Sequence, residues 1–129
     1  MKYAILIYSS DEGPADPADH AVYMELSERE STVGGAQLQP VATATTVRVR
    51  DGEALTTDGP FVETKEAFGG FYLIDVTNLD DALEFAAAIP AARNGGAVEV
   101  RPLVTRVDSA ERAGSEAAGS AGGRSGNQR

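Results

Sequence analysis

The sequence predicts a small α+β fold, and three observations lead to that class. Apolar runs of strand length alternate with two helical segments, and Asp51-Gly52 forms a strong hairpin turn between β-branched residues. From Asp108 onward the chain has no large apolar side chain. Because 129 residues suit one domain and this end cannot bury apolar surface, we predict one domain over 1–104 and a flexible, disordered tail over 105–129.

A buried strand followed by a helix is predicted at the start of the chain. Residues 3–8 are apolar at both alternating positions, which is typical of a strand covered on both faces. Asp16 can cap a helix whose first turn contains Pro17, a position that favours proline. We expect this helix to continue to about Thr32, because Gly34-Gly35 is the next pair that would end it.

The strongest local prediction is the hairpin around Asp51-Gly52. Residues 42–50 are β-branched or alternate in polarity, and residues 53–57 form the returning strand. A two-residue loop of this type sets the register of the two strands. In that register Val47 and Val49 share one face, which we expect to pack toward the core.

The second half of the domain predicts a strand, a helix and a last strand. Gly69-Gly70 begins a strand that reaches Val76 and that we place at the centre of the sheet. Asn78 can cap a helix that Pro90 ends, and residues 97–103 form the last strand. Apolar residues recur at helical spacing in this helix: Leu79, Ala82, Leu83, Ala86 and Ile89.

The predicted order of elements is β-α-β-β-α-β with an added β-hairpin, which is the ferredoxin-like arrangement. A sheet of this kind has helices on one face only, so its other face needs a cover. A second copy of the same sheet is the simplest cover. We therefore predict a homodimer.

The charge balance and the composition exclude several classes of function. Residues 1–103 contain 17 acids and 7 bases, whereas nucleic acids and anionic membranes both require clustered Lys and Arg. The chain has no cysteine, which excludes disulfides, thiolate nucleophiles and cysteine metal sites. The apolar run that ends at Tyr8 is too short for a signal peptide or a membrane span, so we expect a cytoplasmic protein.

The densest polar segment is DGPFVETKE at 58–66, followed by FGGFY at 68–72. Together with Leu38-Gln39-Pro40, the hairpin at 45–52 and Glu99-Val100-Arg101-Pro102, it resembles the DGPF-type branch of the YCII-related proteins over roughly residues 1–104. The resemblance implies a ferredoxin-like fold that dimerises into an α+β barrel.

Proteins on that dimeric barrel include small lactone isomerases, a dehydrochlorinating enzyme of aromatic degradation, haem-binding proteins and monooxygenases that need no cofactor. Some members of the DGPF branch itself resemble accessory proteins that accompany alternative sigma factors. The resemblance therefore implies two classes of role, one catalytic and one of binding.

Two residues are candidates for acid–base chemistry. Asp58 stands beside a Gly-Pro turn, where a carboxylate can project into a cleft. It can act there as general base if burial raises its pKa. Aspartate before glycine also often caps its own turn, which is the alternative interpretation. His20 is the only histidine and can exchange protons near neutral pH. The resemblance implies a His–Asp pair, which here would be His20 with Asp58, although a surface helical histidine is the commoner case.

Four further side chains are candidates for holding an anionic substrate. Lys65, oriented by Glu63, can bind a carboxylate or phenolate, and Arg48 and Arg101 can bind a carboxylate through two parallel hydrogen bonds. The alternative for the loop charges is a solvated ion-pair network. Phe61 is one of several aromatic residues that can line an apolar pocket, and the alternative, which we expect for most of them, is packing in the core.

A single histidine with scattered carboxylates predicts no metal site, and no cofactor-binding motif is present. The first hypothesis is therefore a cofactor-independent enzyme of the lyase, isomerase or hydrolase kind, acting by acid–base chemistry on a small oxygenated cyclic or aromatic compound. The second is a non-catalytic binding or accessory protein whose polar loop is a contact surface.

Overall fold

A computed structural model of the chain describes residues 1–10 and 16–104. The predicted loop around Gly13 and the predicted tail over 105–129 lie outside the described residues. In chain order the elements are β1 Lys2–Ser9, α1 Pro17–Ser27, β2 Thr32–Gln37, β3 Thr45–Arg50, β4 Glu53–Asp58, β5 Ala67–Asp75, α2 Leu79–Ala87, α3 Pro90–Arg93 and β6 Ala97–Pro102, with a short 3-10 turn at Val41–Thr43.

Four strands form one antiparallel sheet in the order β2-β5-β1-β6, and β3 pairs only with β4. The β-α-β-β-α-β core is therefore β1, α1, β2, β5, α2 and β6, with the β3–β4 hairpin inserted between its second and third strands. This confirms the predicted α+β, ferredoxin-like order, and β5 lies at the centre of the sheet as expected.

The core lies between one face of the sheet and the helices. Tyr72 of β5 is at its centre, because its ring meets the Phe85 ring edge-on at 5.4 Å and its hydroxyl donates to the Tyr23 carbonyl at 2.8 Å. This partner satisfies the one polar atom that the ring brings into the core. The buried residues of this core are Tyr3, Ile5, Ile7, Leu26, Tyr72, Ile74, Ala82, Phe85, Ala86, Ile89 and Ala91.

Local capping signals are confirmed at both long helices. The Asp16 carboxylate accepts from the backbone N–H of Ala18 at 2.9 Å, and the Asn78 side chain accepts from the backbone N–H of Asp81 at 2.9 Å. The hairpin turn is confirmed as well, with positive φ at both Asp51 and Gly52.

The first helix is shorter than predicted, and a strand was missed. α1 ends at Ser27, and Thr32 begins β2 with its hydroxyl donating to the Leu26 carbonyl at 2.7 Å. Gly35 belongs to β2, where a Cβ would lie only 2.6 Å from the Phe71 carbonyl oxygen. Gly35 therefore allows β2 to approach β5 closely, and the glycine pair does not end a helix.

One predicted core face is only partly right, and a second is wrong. In α2, Ala82, Ala86 and the following Ile89 are buried as predicted. Leu79 and Leu83 are exposed, however, and Phe85 is buried, so the packed stripe is rotated around the helix from the predicted one. Val47 and Val49 of the hairpin are 59% and 69% exposed, because β3 and β4 extend beyond the four-stranded sheet and its helices do not cover them.

Burial of Tyr72 should make the stability of the fold sensitive to alkali. Burial raises the pKa of Tyr72 to about 12 from 10.0, so its stabilisation is complete below pH 10 and is lost as the pH rises toward 12. We expect the parent to lose about 1 kcal/mol more unfolding free energy than Tyr72→Phe between about pH 9 and 11. Urea unfolding at both pH values measures this difference, and equal losses would rule out Tyr72 as the titrating group.

Candidate functional site

The sheet face turned away from the helices is uncovered in a single chain. Its side chains alternate along the strands with the core residues, and those on β1 and β5 are only half-buried. The expectation that β1 is covered on both faces is therefore met on one face only. We call this surface the open face; its side chains are Ala4, Leu6, Tyr8, Phe68, Phe71, Leu73, Glu99 and Arg101.

A β-bulge brings Phe68 onto the open face. Ile7 pairs with Gly70 but Tyr8 pairs with Phe68, so Gly69 is an extra residue in β5. The shift places Phe68 beside Tyr8, with ring centroids 5.5 Å apart. The strand was predicted to begin at Gly69-Gly70, so the bulge was missed. A glycine inside a strand is the sequence signal that indicates a bulge.

Charged groups border this aromatic surface on β6. Arg101 lies opposite Ala4, and Glu99 lies opposite Leu6, both on the open face. Neither side chain forms an ion pair with any residue in 1–10 or 16–104. Arg101 lies four β1 residues from the Tyr8–Phe68 pair, toward the other end of the open face. A guanidinium there can bind an anionic group of a ligand that extends along the face from the rings.

Residues 58–61, which we call the DGPF segment, lie at the end of the hairpin opposite the Asp51-Gly52 turn. We call this end, where β3 begins and β4 ends, the root of the hairpin. The Gly59 N–H donates to the Ala44 carbonyl at 2.7 Å, and the Thr46 hydroxyl donates to the Gly59 carbonyl at 2.7 Å. Gly59 has φ of 103°, which favours glycine there. The Asp58 side chain is exposed and accepts no hydrogen bond from the described part of the chain, so the turn is held by the Gly59 backbone and the carboxylate is free.

Two predicted substrate-binding residues are in contact, Arg48 on the hairpin and Phe61 in the loop that follows it. The Arg48 guanidinium lies over the Phe61 ring at 4.8 Å from its centroid, a cation–π contact, and Phe61 is 67% exposed. Glu63 and Lys65 are exposed on the following loop, where neither forms an ion pair with a described residue. Arg48 and Lys65 are thus both available to an anion.

A family model for the YCII-related domain matches residues 1–106 of the chain. The chain belongs to the YCII-related family. An uncharacterized protein of Rhizobium meliloti (strain 1021) is 40% identical over 114 residues, which cover 80% of this chain and 92% of the relative. The similarity to the family thus includes the open face, the hairpin and the DGPF segment.

The predicted His–Asp pair is not formed within one chain of this YCII-related protein. His20 lies exposed in the first turn of α1, on the helix side of the sheet, and its backbone N–H donates to the Asp16 carbonyl at 3.0 Å. Asp58 lies at the root of the hairpin. No hydrogen bond or ion pair links the two side chains in the described chain.

Two open clefts of the YCII-related chain lie away from the predicted site residues. The larger, about 460 Å³, lies between α2 and the turn after α1, and the smaller, about 230 Å³, is lined by residues 37–40. The larger is lined by Arg29, Ser31, Val76, Asp81, Glu84, Phe85 and Ala88. In the part of the chain that the structure describes, no cluster of His, Asp and Glu could hold a metal ion, and none of the helices there is long and apolar enough to span a bilayer.

Proposed function

We propose that this protein, a member of the DGPF branch, binds a small oxygenated cyclic or aromatic compound between two copies of the chain and converts it by acid–base chemistry without a cofactor. The observation that supports this proposal is the open face. It presents the half-buried rings of Tyr8, Phe68 and Phe71 together with Arg101, which lies opposite Ala4 toward the other end of the face and forms no ion pair with a described residue. A concave apolar site with few charged groups is the usual form of a small-molecule pocket.

A homodimer supplies the concavity that one flat sheet lacks. Sheets that pack face to face lie about 10 Å apart, which leaves space for a planar ring where small side chains such as Ala4 meet. Each copy would contribute the same surface, as twofold symmetry requires. Covering the open face also removes Leu6 and Phe71 from water, which stabilises the pair.

The proposed reaction is a proton transfer within the bound compound. Asp58 removes a proton from a carbon beside a carbonyl, and the electron pair of the broken C–H bond moves to the carbonyl oxygen. Arg101, Arg48 and Lys65 stabilise that negative oxygen or a neighbouring carboxylate, and Glu63 orients Lys65. The compound carries a carbon–carbon double bond next to the carbon that lost the proton. The electron pair returns from the oxygen through this conjugated system to the far carbon of that double bond, which takes the proton from Asp58. The double bond has then moved by one position, so the net reaction is an isomerisation.

Two further residues have defined roles in this proposal. Phe61 stacks on the ring of the bound compound, next to the Arg48 guanidinium. His20 is the proposed partner of Asp58. They do not touch within one chain, and His20 lies on the helix side of the sheet, away from the open face. The partnership therefore requires Asp58 of one copy to reach past the sheet edge of the other, and His20→Ala tests it by its effect on turnover.

A thermal-shift screen against phenols, hydroxy acids and lactones tests the proposal, because a ligand that binds the folded state raises its melting temperature. We expect one class to stabilise the parent. Asp58→Asn should keep that shift and lose about 100-fold or more in turnover, since a positioned base contributes that much. Asp51→Asn is the matched control, because it makes the same change on the same hairpin at a turn position that accepts asparagine. A parent that no class stabilises, or an Asp58→Asn variant with full turnover, would contradict the proposal.

A second candidate is a non-catalytic accessory protein, for example one that acts with an alternative sigma factor, as the DGPF branch implies. The exposed hairpin favours it, because an exposed apolar surface is typical of a contact site. In that case Asp58→Asn should weaken the affinity for the partner protein and no ligand class should turn over.

A further inference from the structure

The β3–β4 hairpin lacks the packing that a hairpin needs. Every residue of its two strands except Thr46 is exposed. An isolated two-stranded hairpin is at best marginally stable in water, and a third strand or a packed face is needed for stability. Within 1–10 and 16–104 no third strand is present, because β3 and β4 pair only with each other, and the exposure of their residues shows that neither face is covered.

The two faces of the hairpin differ in what they contact. On one face Arg48 packs over Phe61 of the same chain. The other we call the valine face; it pairs Val47 with Thr56 and Val49 with Ala54, and all four residues are exposed. The valine face is thus the apolar surface of the hairpin that still needs a cover.

The charges of the chain favour a second copy as that cover. The chain has a formal net charge of −9, so two copies repel each other through most of their surfaces. Residues 45–57 contain two bases and two acids, and the open face contains Arg101 and Glu99. The hairpin and the open face are therefore surfaces that two acidic copies can bring together without net repulsion. A basic partner protein would instead be attracted to the acidic remainder.

The area of the open face also favours a dimer contact that includes the hairpin, because the open face alone is smaller than the interface of a stable protein pair. Four strands about 4.8 Å apart with about six paired residues rising about 3.3 Å each have a flat footprint of roughly 400 Å². Stable protein pairs bury about 800 Å² on each partner. One face of the hairpin adds roughly 200 Å² by the same measure, so contact through both surfaces approaches what a stable dimer requires.

We infer that the β3–β4 hairpin is an arm that packs its valine face against a second copy of the chain. The inference rests on the proposed homodimer and adds a second contact surface to it, the valine face of each copy packed against the other copy. Because Asp58 and Phe61 adjoin the root of the arm, docking of the arm also sets the position of these two proposed site residues. Dimer formation and completion of the pocket are then a single event.

Thiol labelling can test the arm directly, because the natural chain has no cysteine. Thr56 and Thr57 are adjacent, exposed and of the same type, but Thr56 lies on the valine face and Thr57 on the opposite one. In the dimer we expect the thiol of Thr56→Cys to react about tenfold more slowly than that of Thr57→Cys. Both variants unfolded in urea give the reference rates.

The same pair of variants in a Phe71→Asp background, which should be monomeric, separates the possible results. If the Thr56→Cys thiol reacts as fast as the Thr57→Cys thiol in the Phe71→Asp monomer, the inference that the valine face packs on a second copy is supported. Protection that persists in a monomer means that the valine face packs on its own chain and overturns the inference. Equal rates in a protein that sediments as a dimer overturn the arm but leave the homodimer of the proposed function intact. A parent that sediments as a monomer overturns both.

Discussion

Replacing Gly96 by alanine should lower the free energy of unfolding by about 3 kcal/mol and the melting temperature by roughly 10 to 20 °C. A Cβ at this position would lie 2.2 Å from the Tyr8 carbonyl oxygen and 3.1 Å from the Ala91 carbonyl oxygen. Both atoms belong to the backbone, so no side chain can rotate away. The junction of β1 and β6 would have to shift, which weakens the Tyr8–Ala97 pairing and the hydrogen bond from Gly96 N–H to Ala91.

Gly69→Ala is the matched control for that substitution. It makes the same change in β5, but the nearest atom to its Cβ, the Ala67 carbonyl oxygen, is 4.0 Å away. We expect a change within about 0.5 kcal/mol. Urea unfolding of the two variants measures both values. Equal stability of Gly96→Ala and the parent would show that β1 and β6 do not approach as closely as described.

Replacing Phe71 by aspartate should raise the dissociation constant of the proposed dimer by about 30-fold or more, which corresponds to loss of one central contact residue. Phe71 lies between Leu6 and Ala36 on the open face and is only half-buried in a single chain. A charged group there would have to lose its water on dimer formation, and it would also remove the apolar contact that the Phe71 ring makes. Sedimentation at several concentrations measures the change.

The matched control is Leu83→Asp, which places the same charge at an exposed apolar site on α2, on the other side of the sheet. It should leave the dissociation constant within about threefold of the parent value. Circular dichroism of both variants establishes that each is folded. A folded Phe71→Asp variant that dimerises as tightly as Leu83→Asp would show that the open face is not the interface.

The fold was predictable where a short stretch of sequence decides the geometry. Asp16 and Asn78 cap helices through bonds to residues two and three positions away, and Asp51-Gly52 determines its own turn. β2 was missed because a short edge strand with Gly34-Gly35 has no apolar alternation, and a glycine pair also ends helices. Only its pairing with β5 distinguishes the two cases.

The candidate site was less predictable, because it depends on which surfaces are covered. The alternation of β3 predicted that Val47 and Val49 share a face, but what covers that face is decided outside the hairpin. Phe68 reached the open face through a register shift that involves both β1 and β5. The pairing of Arg48 with Phe61 likewise joins a strand to a later loop, and no local pattern predicts such a contact.

The central claim is that two copies of the chain join through their open faces. Sedimentation equilibrium of the unmodified protein tests it most directly, because the mass it reports does not depend on shape. We predict a mass twice the 13.4 kDa of one chain. A mass of 13.4 kDa at every concentration up to about 100 μM would contradict the claim, since the proposed pocket would then have no second wall.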